Sequence, residues 1–149
     1  SDVYKRQIKE YVKVPSIRIA GSDISAKYIK QAVENYEILI KLIKQYVDLQ
    51  YDIKFFVSNV LHEDPEIEVS RILVNPPYGI RSARIKALPK IYLSLATFAY
   101  KAYAEYLDVF TARPDVLINV LKNYWSIEDK LRSMLGDLLV TLILSERKE

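Results

Sequence analysis

A short apolar run broken by a double proline, Ile72-Leu73-Val74-Asn75-Pro76-Pro77-Tyr78-Gly79-Ile80-Arg81, sets the first limit on this chain's architecture. Three apolar, mostly β-branched residues read as a short buried strand. The strand must stop at Asn75, because proline offers no N–H to a ladder and its ring bars helix in the residue before it. What remains is a stiff loop at a strand's C-terminal end, carrying an amide (Asn75), backbone carbonyls and an aromatic face (Tyr78). Gly79 lets the backbone turn or come close to a ligand. Such a loop suits a planar base with an exocyclic amine: carbonyls accept from the amine and the ring stacks on the base. In open α/β sheets, ligands bind at the C-terminal ends of strands.

The surrounding pattern predicts an α/β domain. Ile17-Arg18-Ile19-Ala20-Gly21-Ser22-Asp23 reads as a strand finishing at an acid, and Ser25 as the N-cap of a following helix. That helix, Ala26 to about Tyr46, sets Ile29, Val33, Tyr36, Ile40 and Ile43 on one stripe at helical spacing. Ile53 to Val57 is a second strand ended by Ser58-Asn59, and a polar loop around His62 leads to the strand before Asn75. Pro89 is suited to the first turn of a helix reaching about Tyr103. Tyr106–Thr111 reads as a strand, Pro114 to about Asn123 as a helix, and Leu131 to Ser145 as two strands joined across Gly136-Asp137.

Composition removes several classes of chemistry. With no cysteine and one histidine, disulfides, thiolate zinc sites, cysteine catalysis and histidine triads are set aside, and no metal is expected. A net charge of +3 permits nucleic-acid binding without arguing for it. No apolar run approaches the roughly 18 residues of a membrane span, so no membrane partner and a cytoplasmic location are expected. The 12 tyrosines are read mainly as packing, Trp125 as a core or hinge residue, and His62 as plain surface. Residues 1–7 fit no element and read as a sequence-assembly scar.

The loop Asn75-Pro76-Pro77-Tyr78-Gly79-Ile80-Arg81 resembles that of S-adenosylmethionine-dependent methyltransferases acting on N2 of guanosine in tRNA and ribosomal RNA. Gly21-Ser22-Asp23-Ile24 is similar to the same family's ribose-binding segment. The resemblance implies an RNA methyltransferase with a Rossmann-like class I sheet. Asn75, Pro76, Pro77 and Tyr78 would be catalytic, and Tyr78, Gly79 and Arg81 would bind substrate. Asp23, Ile24, Asn59 and Asn75 would bind the methyl donor. Taken alone, Asp23 also reads as a capping acid, and Arg81, Arg84 and Lys86 as a solvated loop that could instead contact phosphates.

Two departures accompany the resemblance. Where the family ends its second strand with an acid, this chain has Asn59, which can accept only through its amide oxygen. The family's glycine-rich loop after the first strand has no counterpart among Gly21, Gly79 and Gly136. The sheet is therefore expected to be incomplete, lacking that first strand, with residues 8–149 a partial catalytic domain. An upstream RNA-binding THUMP domain is expected in the full-length protein. In the family it resembles that strand lies between those ending at Asp23 and Asn75, so marginal stability is expected of the isolated chain, and inactivity because the glycine-rich loop is missing. Competing readings are a DNA adenine or protein glutamine methyltransferase, and a non-catalytic remnant that binds RNA.

Overall fold

A computed structural model describes residues 17–44, 51–76 and 85–149, arranged as two compact units, Ser1–Asn59 and Val60–Glu149. In the first, strand β1 (Ile17–Asp23) and strand β2 (Tyr51–Val57) pair in parallel, from Ile17 opposite Tyr51 to Asp23 opposite Val57. Parallel strands need a crossover, here made by helix α1 (Ala26–Ile43). Ser25 begins it as its sequence suggests: the backbone is extended and the side chain accepts from the Tyr28 N–H. The five residues of the expected stripe are all half-buried, and the Tyr36 ring meets Phe55 edge-on at 5.8 Å. Phe55 also lies on Gly21, where a Cβ would fall 2.9 Å from its ring, so any side chain here would force that ring to shift. No described residue of this unit is fully buried.

The second unit holds the core. Strand β3 (Arg71–Val74) runs parallel to β4 (Tyr106–Thr111), and the hairpin of β5 (Trp125–Leu135) and β6 (Leu138–Arg147) closes the sheet in the order β3-β4-β6-β5. Helix α2 (Leu88–Lys101) and helix α3 (Pro114–Leu121) supply Leu88, Tyr92, Leu95, Leu117 and Leu121 to a core shared with Leu107, Val109, Ile143 and Trp125. Asp108 is buried too, with its carboxylate 3.6 Å from Arg71 Nε, and the Arg71 guanidinium stacks 4.5 Å above the Tyr106 ring.

Several sequence expectations need correction. Strand β5 begins at Trp125, six residues before the expected Leu131. An irregularity between Ile127 and Asp129 breaks its alternation, and so hides the strand from a period-two reading. Helix α2 stops at Lys101 because Tyr103 adopts a positive φ of 57°. Helix α3 ends at Leu121 instead of near Asn123. The tyrosines are less uniformly packing residues than expected: Tyr92 is buried, but Tyr28, Tyr100, Tyr103 and Tyr124 are exposed. Trp125 belongs to the core, and His62 is exposed in a loop.

Among the described residues β1 has one strand partner, β2, and β3 has one, β4. No described helix is long and apolar enough to cross a membrane. No cluster of three metal-ligating side chains occurs among the described residues.

Candidate active site

Of the residues singled out from the sequence, Asp23, Ile24, Asn59, Asn75 and Pro76 are described, and they fall at or just after the C-terminal ends of parallel strands. In the first unit Asp23 closes β1 and Ser58-Asn59 follows β2. The two ends are tied by the Ser58 N–H donating to the Asp23 carbonyl at 3.1 Å. The Ser25 N–H donates to Asp23 Oδ1 at 2.7 Å, which turns the chain into α1 and fixes the carboxylate. Asp23 therefore does serve the helix start, while its second oxygen is held in a set orientation. Ile24 projects to solvent and is 67% exposed. A fixed carboxylate, an amide and an exposed apolar side chain at adjacent strand ends fit a nucleoside: diol, amine and base face respectively.

In the second unit Asn75 follows β3 directly and is exposed, whereas Pro76 is buried. Pro76 cannot extend the ladder to β4, so the strand ends at Val74 opposite Val109. Pro77, Tyr78, Gly79 and Arg81 lie outside the described residues, as does Arg84. Lys86 is exposed in a 3-10 turn spanning Ile85–Ala87, just ahead of α2. A shallow hollow lined by Tyr100, Asn123, Tyr124, Arg147 and Lys148 lies at the other end of this sheet. There Arg147 N–H bonds the Glu105 carbonyl beside the start of β4, so this hollow has no part in the strand-end site.

One feature of this edge escaped the sequence reading. Arg113, at the N-cap of α3, forms a two-pronged ion pair with Asp115 through Nε (3.0 Å) and Nη2 (2.7 Å). The pairing holds the Asp115 carboxyl below its usual range and raises the Arg113 guanidinium. Residues two apart do not meet on a helix surface. Here Arg113 stands outside the helix, and Arg-Pro-Asp was the clue, with proline in the first helical turn.

Solved structures bear on this arrangement. SMU.472, solved in complex with SAH, superposes with a TM-score of 0.64 at 17% identity over 85% of this chain and 30% of its own. A protein described as "a possible methylase" from Clostridium difficile 630 gives 0.66 at 20% identity, over 99% and 36%. A predicted N6-adenine-specific DNA methylase from Listeria monocytogenes gives 0.52 at 21% identity, over 84% and 29%. The chain thus spans about a third of each of these proteins. A comparison with curated proteins finds no match. The fold is that of class I methyltransferases, parallel strands followed by an antiparallel hairpin. The chain belongs to the UPF0020 family, the RMKL-like methyltransferase domain, whose model matches residues 2–139. S-adenosylmethionine is the usual cofactor of that family.

Proposed function

We propose that the protein methylates the exocyclic N2 amine of guanosine in tRNA or ribosomal RNA. The carrying observation is the exposed amide of Asn75 at the end of a parallel strand, followed at once by a proline that frees the backbone from the sheet. S-adenosylmethionine supplies an electrophilic methyl group on a positively charged sulfur. Asp23 would hold its ribose hydroxyls, Ile24 would pack against its adenine, and the Asn59 amide oxygen would accept from the adenine amine. Asn75 Oδ1 and the Pro76 carbonyl accept the two hydrogens of the target amine. They aim its lone pair and stabilise the positive charge that develops on nitrogen. Pro77 stiffens the loop, and Tyr78 stacks on the base, a contact worth about 1–3 kcal/mol. Gly79 allows the close approach, and Arg81 contacts the RNA backbone. The base must leave its stack to reach such a loop. No strong base is needed, because the amine becomes acidic only after methylation.

Because the chain spans about a third of the proteins it superposes on, the activity is tested in a protein that contains this chain and a complete methyl-donor site. Asn75→Ala in that protein should slow transfer of labelled methyl to transcript RNA by ~100-fold, the usual scale for losing one group that stabilises charge in the transition state. A rate close to that of the unaltered protein overturns the assignment. A second reading, methylation of adenine N6 in DNA, draws on the similarity to the predicted N6-adenine-specific DNA methylase from Listeria monocytogenes. Transfer to duplex DNA but not to RNA would establish it.

A further inference from the structure

Arg113 breaks two local rules where it stands. N-caps favour Ser, Thr, Asp or Asn, whose short side chains bond the first helical N–H groups, and Arg113 makes no such bond. A cation is also unfavourable at the positive end of a helix dipole. Its backbone is nonetheless firmly placed, since its N–H donates to Thr111 Oγ1 at 2.8 Å and that hydroxyl pairs with the buried Tyr92 OH at 2.7 Å. The result is a backbone anchored to the core at the C-terminal end of β4, on the sheet edge that carries Asn75, from which an exposed guanidinium projects. A residue that opposes local preference without a packing reason points to function.

A second cation lies, by strand register, in the row of Thr111, two residues before Arg113. Thr111 pairs with Thr141, and Thr141 pairs with Arg132, so the three form one row across β4, β6 and β5. Arg132 is exposed, about 10 Å from Thr111 at two strand spacings. The acids on this edge are Asp115, which grips Nε and Nη2 of Arg113, and Asp137 in the hairpin turn. Nη1 of Arg113 still has both of its N–H groups directed away from that carboxylate. Guanidinium forks match phosphate oxygens better than an ammonium does.

We propose that Arg113 and Arg132 form a phosphate track along this edge, gripping separate phosphodiesters of the substrate strand that carries the target base. The inference rests on the nucleic-acid reading above and adds the residues that hold the backbone. The test uses the full protein containing this chain, with fluorescein-labelled single-stranded RNA and DNA of one mixed sequence, titrated against salt. Each phosphate contact contributes about 0.7 to the slope of log affinity against log salt on single strands. Arg113→Gln with Arg132→Gln should lower the slope by ~1.4, and Lys122→Gln, an exposed charge beside the hollow at the other end of the sheet, should leave it unchanged. Arg113→Lys should keep the slope while weakening affinity, as a point charge replaces a fork. Equal effects on RNA and DNA identify the phosphodiester itself; an effect on RNA alone identifies a contact that includes the ribose hydroxyl. A slope in the double variant equal to that of the unaltered protein overturns the track, as does an equal loss in Lys122→Gln or an absence of salt-dependent binding. Binding is read without methyl transfer, so this failure is distinct from a failure of the Asn75 experiment.

Discussion

At the scale of single residues, the described site consists of ordinary side chains made useful by where strands end. Asp23 commits one carboxylate oxygen to the Ser25 N–H, and the proposed function assigns the other to the ribose of the methyl donor. Asp108 shows what happens when a carboxylate is placed inside instead. Burial pushes its carboxyl above the usual range, opposed by the Arg71 charge and by the Ser145 N–H. The native state then keeps a proton that the unfolded chain has already released. Stability from this group is greatest at low pH and declines as pH rises from the ordinary value of 3.8 through the native one. Asp108→Asn removes that decline. Urea unfolding followed by Trp125, the sole tryptophan, should show the two proteins diverging toward neutral pH. Parallel pH profiles would refute the argument. Trp125 itself buries an indole N–H that has no hydrogen-bond partner among the described residues, so its place in the core rests on packing.

Elements were legible where local chemistry dictates them. Ser25, Pro89 and Pro114 mark helix starts, and the helical stripe of α1 was readable as a periodicity, because each depends on neighbours only a turn away. Ends proved harder. After α2 the Tyr103 N–H bonds the Tyr100 carbonyl and the Ala104 N–H bonds the Ala99 carbonyl, a closure that puts Tyr103 in the left-handed region at φ 57°. Glycine usually fills that place, and nothing in the side chain announces that tyrosine will. Since Tyr103 is 65% exposed, Tyr103→Gly gives up little contact while relieving the backbone. It should stabilise the protein by about 1 kcal/mol, read as a higher urea midpoint with an unchanged slope. A lower midpoint would mean that the ring carries packing unaccounted for. The start of β5 was hidden for a different reason. One irregularity shifts the alternation between Ile127 and Asp129, and only the pairing with β6 shows that the strand continues.

For the whole molecule, burial is uneven. The second unit encloses a core of aromatic and aliphatic side chains, while the first has no fully buried residue in its described part. Amides of β1, α1 and β2 should therefore exchange with deuterium well before those of β4 and β6, because few buried contacts resist local opening. Equal protection in both units would contradict this. Among the described residues β1 and β3 each have a single strand partner, which adds a reason to expect low stability. By itself the sequence determined the α/β class, the places where strands halt, and the loop at Asn75, since a missing proline N–H, a capping hydroxyl and a helical period all act locally. Which strands pair was decided only by the tertiary structure, as was the registration of Arg132 with Thr111 and the division between buried Asp108 and exposed tyrosines. These depend on partners dozens of residues away, and no local pattern encodes them.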